Sequence, residues 1–115
     1  MYLVSDERFD QLVEEAITSL PDNFATAMEN VAIVVDSTSP ASSLAGLYEG
    51  VPLTHRDSYS YSGFLPDKIT IFKNTICSYC HTADQVRNEV RIVVLHEIGH
   101  YFGIDDDRLE ELGWG

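Results

Sequence analysis

The strongest constraint in this chain of 115 residues is a long helical pattern with a start signal at one end and a stop signal at the other. Thr82-Ala83-Asp84-Gln85 sets a hydroxyl three residues before Gln, the capping-box arrangement, and places Asp84 in the first turn, where the helix dipole favours an anion. Val86, Val90, Val93, Val94, Glu97 and Tyr101 then recur at helical spacing, and Gly103 stands where a left-handed residue ends a helix. Such a helix is roughly 30 Å long, close to the width of a domain of this size. The rest of the chain must build its core against one side of it.

Upstream, Phe9, Leu12, Val13, Ala16, Ile17 and Leu20 follow the i, i+3, i+4 template until Pro21 stops it, which predicts an amphipathic N-terminal helix. Residues 22–30 are weakly helical, with Phe24 and Met28 on one side. The β-branched run Val31-Ala32-Ile33-Val34-Val35 reads as a buried strand, and the Ser, Thr, Pro and Ala of residues 36–46 as a loop. Leu47-Tyr48-Glu49-Gly50-Val51, closed by Pro52, predicts a short edge strand. Residues 54–66, with Tyr59 and Tyr61 among Ser and Gly, read as an exposed loop. Lys68-Ile69-Thr70-Ile71-Phe72-Lys73 alternates with period two and predicts a half-buried strand, joined by a connector over residues 74–81 to the long helix. The acidic tail after Asp105 has room for a single helical turn over residues 107–112, and Trp114 is expected to pack that tail onto the body. These elements define one α+β domain over residues 1–115, with the N-terminal and long helices on one face of a small three-stranded sheet.

Seven Lys plus Arg against 19 Asp plus Glu give a net charge of −12. An acidic chain lacks the basic footprint that phosphate backbones and anionic lipids require, so no nucleic-acid or membrane partner is expected. The longest apolar run of the helix, Ile92-Val93-Val94-Leu95, is far short of the roughly 20 residues that span a bilayer. The first residues lack a basic stretch followed by an apolar one, and the expected location is cytoplasmic.

The long helix carries His96-Glu97-Ile98-Gly99-His100, the HExxH pattern. Residues four apart sit one above the other on a helix face, so both imidazoles can aim at one ion while Glu97 projects beside them toward a metal-bound water. Gly103 lets the backbone turn out of the helix, and Asp106, three residues on, can swing back as a third ligand, extending the pattern to HExxHxxGxxD. Three protein ligands with one open position is the arrangement of a catalytic zinc site. A chance match of the extended pattern in a chain of this composition is on the order of 10⁻⁴, which makes it a specific signal.

His96-Glu97-Ile98-Gly99-His100-Tyr101-Phe102-Gly103-Ile104-Asp105-Asp106, with the order helix, strand, strand, strand, motif helix, resembles the minimal bacterial zincin-like metallopeptidases, relatives in motif of the metzincins with Asp in place of the third histidine. The tail from Asp105 to Trp114 and the stretch from Gly46 to Leu53 resemble that family as well. The resemblance implies a Zn²⁺ cofactor held by His96, His100 and Asp106, Glu97 as general base, and a peptide or protein as substrate. It also implies that Leu47, Tyr48, Glu49 and Gly50 form the edge strand that pairs with substrate backbone. The metzincin Met-turn has no counterpart here, since the methionines are Met1 and Met28, and with nine residues after Asp106 no lower subdomain is expected to wall the cleft.

Two other functions compete with a zinc-dependent peptidase. One is a non-catalytic metal-binding or protein-interaction module on the same fold. The other is a metal-dependent endoribonuclease of the HGxxHxxGxxxH type, which Glu97 in place of glycine and the charge of −12 both disfavour. Cys77-Ser78-Tyr79-Cys80-His81 matches the haem-attachment spacing and that of some zinc and redox sites, with His55 a further candidate ligand; the reading that fits the rest of the chain is two free cysteines in a connector.

Overall fold

The computed structural model describes residues 1–28, 31–39, 43–50 and 67–113. In chain order the elements are α1 (Asp6–Thr18), α2 (Asp22–Ala27), β1 (Val31–Asp36), β2 (Gly46–Glu49), β3 (Asp67–Phe72), α3 (Lys73–Tyr79), α4 (Ala83–Tyr101) and α5 (Asp106–Glu111). Val51, the loop at 54–66 with Tyr59 and Tyr61, His55 and Trp114 lie outside the described residues.

The long helix forms where its caps direct. Thr82 Oγ1 accepts from the Gln85 backbone N–H at 3.1 Å, satisfying one of the unpaired donors of the first turn. Gln85 Oε1 reaches past Thr82 and accepts from the His81 N–H at 2.6 Å, so the box is one residue wider than the sequence pattern implies. At the other end Gly103 has φ +78°. Its N–H bonds the His100 carbonyl at 2.9 Å and the Ile104 N–H bonds the Gly99 carbonyl at 3.0 Å. That pair of bonds is a complete Schellman closure, and it turns the chain sharply out of the helix.

Helix α1 begins at Asp6, before its first periodic apolar residue, because the Ser5 side chain accepts from the Arg8 N–H at 3.0 Å. It buries Phe9, Leu12, Val13 and Ala16. These meet Val86, Val90 and Val94 of α4 in one apolar core that also takes in Ile69 and Ile71 of the sheet. Each fully buried aliphatic or aromatic side chain of this kind contributes roughly 1.5–3 kcal/mol.

The sheet has the order β1-β3-β2. Strands β1 and β3 run parallel with Ile33 opposite Ile69. Strands β2 and β3 run antiparallel with Leu47 opposite Thr70. The domain is therefore α+β, with a small mixed sheet. Position in this order corrects two expectations. Strand β1, read as buried, is an outer strand, half-buried for most of its length, with Val34 exposed. Strand β3, read as half-buried, is central, and every residue but Lys68 is buried. The β-branched run of β1 marks a strand but not its place in the sheet, which depends on partners far along the chain.

Residues 74–81, read as a connector, hold most of α3, which begins one residue earlier at Lys73, read as the last residue of the strand. Lys-Asn-Thr-Ile-Cys-Ser-Tyr has little intrinsic helix preference. The turn forms because Thr75, Ile76 and Cys77 are buried against the body. Cys77 and Cys80 are both buried free thiols. No helix among the described residues is long and apolar enough to cross a membrane.

Candidate metal centre

His96 and His100 occupy consecutive turns at the end of α4, on one face. Their rings meet edge to face with centroids 4.6 Å apart, and the two Nε2 atoms are 3.0 Å apart. Nitrogens that close are held by a shared proton or by a shared cation.

The chain leaves α4 at Gly103 and re-enters a helix at Asp106. Asp105, not Asp106, caps that helix: its Oδ1 accepts from the Arg108 N–H at 2.9 Å. Asp106, one position on, directs its carboxylate at the histidines, with Oδ1 3.6 Å from His96 Nε2 and 3.5 Å from His100 Nε2. Those separations are long for direct hydrogen bonds. They are close to the edge of a tetrahedron of N and O donors around zinc, about 3.3–3.4 Å for metal–ligand distances of about 2.0–2.1 Å. Two imidazoles and one carboxylate, converged to this spacing and open on one side, fit the first-row divalent metals that such donors select.

Glu97 stands beside this trio and is buried. Burial pushes its carboxyl above the ordinary range; Asp106 adds to the rise, while His96, His100 and the backbone N–H of Tyr48 oppose it. Gly46, the first residue of β2, lies directly over it. A Cβ on Gly46 would come to 3.0 Å from Glu97 Cγ and 2.7 Å from Val93 Cγ1, so only glycine lets the strand approach α4 this closely.

A cleft of about 760 Å³ opens in front of the site, bordered by β2 on one side and by the turn after Gly103 on the other. Of the proposed strand residues, Leu47 and Tyr48 line it, whereas Glu49, the last residue of β2, and Gly50, which lies just past the end of the strand, do not. Gly46 and Leu44, missed from the sequence, do line it. A glycine entering a strand signals a close backbone approach, and that signal was available at Gly46. Tyr48 anchors the strand: its hydroxyl donates to Asp67 Oδ2 at 2.5 Å, and its ring packs edge to face on buried Tyr101 at 6.2 Å.

The sequence matches the zincin-like metallopeptidase family over residues 23–114. The chain belongs to that family. Membership implies a metal, usually zinc, and His96, His100 and Asp106 are the group positioned to hold one. Among solved structures, this zincin-like domain is similar to a conserved hypothetical protein from Thermus thermophilus, at 21% identity with a TM-score of 0.58, covering 95% of this chain and 97% of the other. At that identity the likeness speaks for the fold alone. No curated protein sequence matches the chain.

Proposed function

We propose that this zincin-like domain is a zinc-dependent metallopeptidase in which His96, His100 and Asp106 hold the ion and Glu97 is the general base. The observation that carries the reading is the convergence of three donors 3.0–3.6 Å apart next to a buried carboxylate, inside an open cleft. The chemistry that zinc contributes in a site with three protein ligands is polarisation of a carbonyl and acidification of a water.

The chain's own residues supply the rest. Glu97 takes a proton on its carboxylate from the attacking water and passes it to the leaving amine nitrogen, a role worth about 10²–10⁴ in rate. Gly46 and the Tyr48 N–H hold that carboxylate in place from the strand side. Strand β2 is paired with β3 along one edge, and Gly46, Leu47 and Tyr48 border the cleft. An extended peptide adding to the outer edge of β2 would lie across the site, with backbone hydrogen bonds giving affinity largely independent of sequence.

The test is metal analysis by mass spectrometry of protein purified without chelator or affinity resin, with His96→Ala alongside, followed by digestion of a broad peptide library by the wild type and Glu97→Gln. The reading requires about one zinc per chain, its loss in His96→Ala, and cleavage that falls at least 10²-fold in Glu97→Gln while the metal stays. No metal after zinc is supplied overturns the ligand assignment. Bound metal without cleavage overturns the peptidase and leaves a metal-stabilised interaction module.

A further inference from the structure

The third donor stands on an element of its own. Both histidines belong to the 19-residue helix α4, whereas Asp106 opens the six-residue α5 and is 77% exposed at its side chain. A helix of that length has no independent stability, so something outside it must fix where Asp106 points.

Of the six residues of α5, Leu109 alone is buried, with no exposed surface. Its side chain sits against Gly99, the residue between Ile98 and His100, and a Cβ added to Gly99 would strike Leu109 Cδ2 and come within 3.3 Å of its Cγ. The missing side chain at Gly99 is thus a notch in α4 beneath the ligand turn, and Leu109 fills it. Asp105 and Arg108 complete the first turn of α5 through the cap bond, and the Ile104 N–H ties the entering chain back to the Gly99 carbonyl. Gly99 therefore receives α5 through its vacant side-chain position and the preceding turn through its backbone.

We propose that Leu109, seated in the Gly99 notch, is the positioning residue that places Asp106 against His96 and His100, so that affinity for the metal is set by an apolar contact that touches neither the metal nor the substrate. The proposal rests on the ligand assignment above. The histidine pair is built into a rigid helix, while the carboxylate arrives only when α5 is docked. Loosening that dock leaves a two-ligand site, which binds divalent ions far more weakly.

The test is titration of the metal-free protein with Co²⁺, read by its visible absorption, and with Zn²⁺ by competition, for the wild type, Asp106→Ala, Leu109→Ala, Leu109→Met and the double variant Asp106→Ala with Leu109→Ala. Leu109→Ala is expected to weaken metal binding by about 10–100-fold, the range seen when groups supporting metal ligands are removed, and to lose the intense tetrahedral Co²⁺ band. Leu109→Met, which refills the notch, restores most of both. In the double variant the two losses do not add, because each removes the same third ligand. Wild-type-like Co²⁺ affinity and spectrum in Leu109→Ala, with Asp106→Ala impaired, overturns the positioning role while leaving the ligand assignment intact. Additive losses in the double variant overturn it as well. No Co²⁺ binding by the wild type overturns the ligand assignment itself, a distinguishable failure.

Should Leu109→Ala fail to fold, Gly99→Ala carries the same test. Its Cβ displaces Leu109, and alanine strengthens rather than weakens α4 as a helix. Weakened Co²⁺ binding with unchanged helical circular dichroism supports the proposal, and unchanged binding overturns it.

Discussion

Gly46 and Glu97, 51 positions apart in the chain, are in contact across the cleft wall, with no room for a Cβ between strand β2 and the carboxylate it covers. That contact joins the strand expected to receive a peptide to the residue expected to move the proton. Gly46→Ala should therefore damage both. The added methyl would meet Val93 Cγ1 at 2.7 Å and Glu97 Oε2 at 3.2 Å, an overpacking that costs about 1–3 kcal/mol. Denaturant unfolding checks the stability loss. Peptide hydrolysis should fall by a larger factor than in a destabilised control altered away from the cleft.

Zinc should stabilise the folded chain by mass action. At a free concentration 100 times its Kd, a ligand that binds only the native state adds about 2.7 kcal/mol. Thermal melting with and without zinc should show a rise in Tm for the wild type that chelator reverses, and little or none for His96→Ala. Equal shifts in both would place the ion elsewhere.

Thr82 carries the start of the motif helix through its bond to the Gln85 N–H. Thr82→Ala should cost about 1 kcal/mol, the usual value of such a cap. His96 and His100 lie more than three turns further on, so metal affinity per folded molecule should be unchanged. Equilibrium unfolding and a metal titration, run on the same variant, separate the two.

Tyr79 gives an alkaline signature. Burial, reinforced by the Glu89 carboxylate that its hydroxyl faces at 3.3 Å, pushes the phenol up to about 12 from 10.0. A phenol whose pKa is raised by folding favours the native state while protonated. Its contribution is complete below pH 10 and is lost as pH climbs from 10 toward 12. The ring is 46% exposed, so solvent screening holds the effect to less than about 1 kcal/mol. The difference in stability between the wild type and Tyr79→Phe, measured from pH 8 to 11.5, should shrink toward the alkaline end; a flat difference would mean that folding does not raise the Tyr79 phenol above its ordinary range.

Much of the motif helix was legible because its signals are local. A cap three residues from its partner, histidines four apart and a glycine just past the last turn all act within a few residues, and the structure places Thr82, His96, His100 and Gly103 in those positions. Helix α3 was not legible, since its stability comes from burying Ile76 and Cys77 rather than from its own residues. The same holds for the exchange of roles at the end of the chain. Asp105 and Asp106 are chemically identical in sequence, and either could have capped α5; the structure gives the cap to Asp105 and the histidines to Asp106.

Residue spacing along the chain is enough to set the motif helix, its ends and the two imidazoles on one face, because the geometry of a single helix is local. The central place of β3, the cover of Gly46 over Glu97 and the seating of α5 by Leu109 in the Gly99 notch emerge only in the folded chain. Those are contacts between segments distant in the chain, and they form where shape and apolar surface match in three dimensions, information that no local pattern carries.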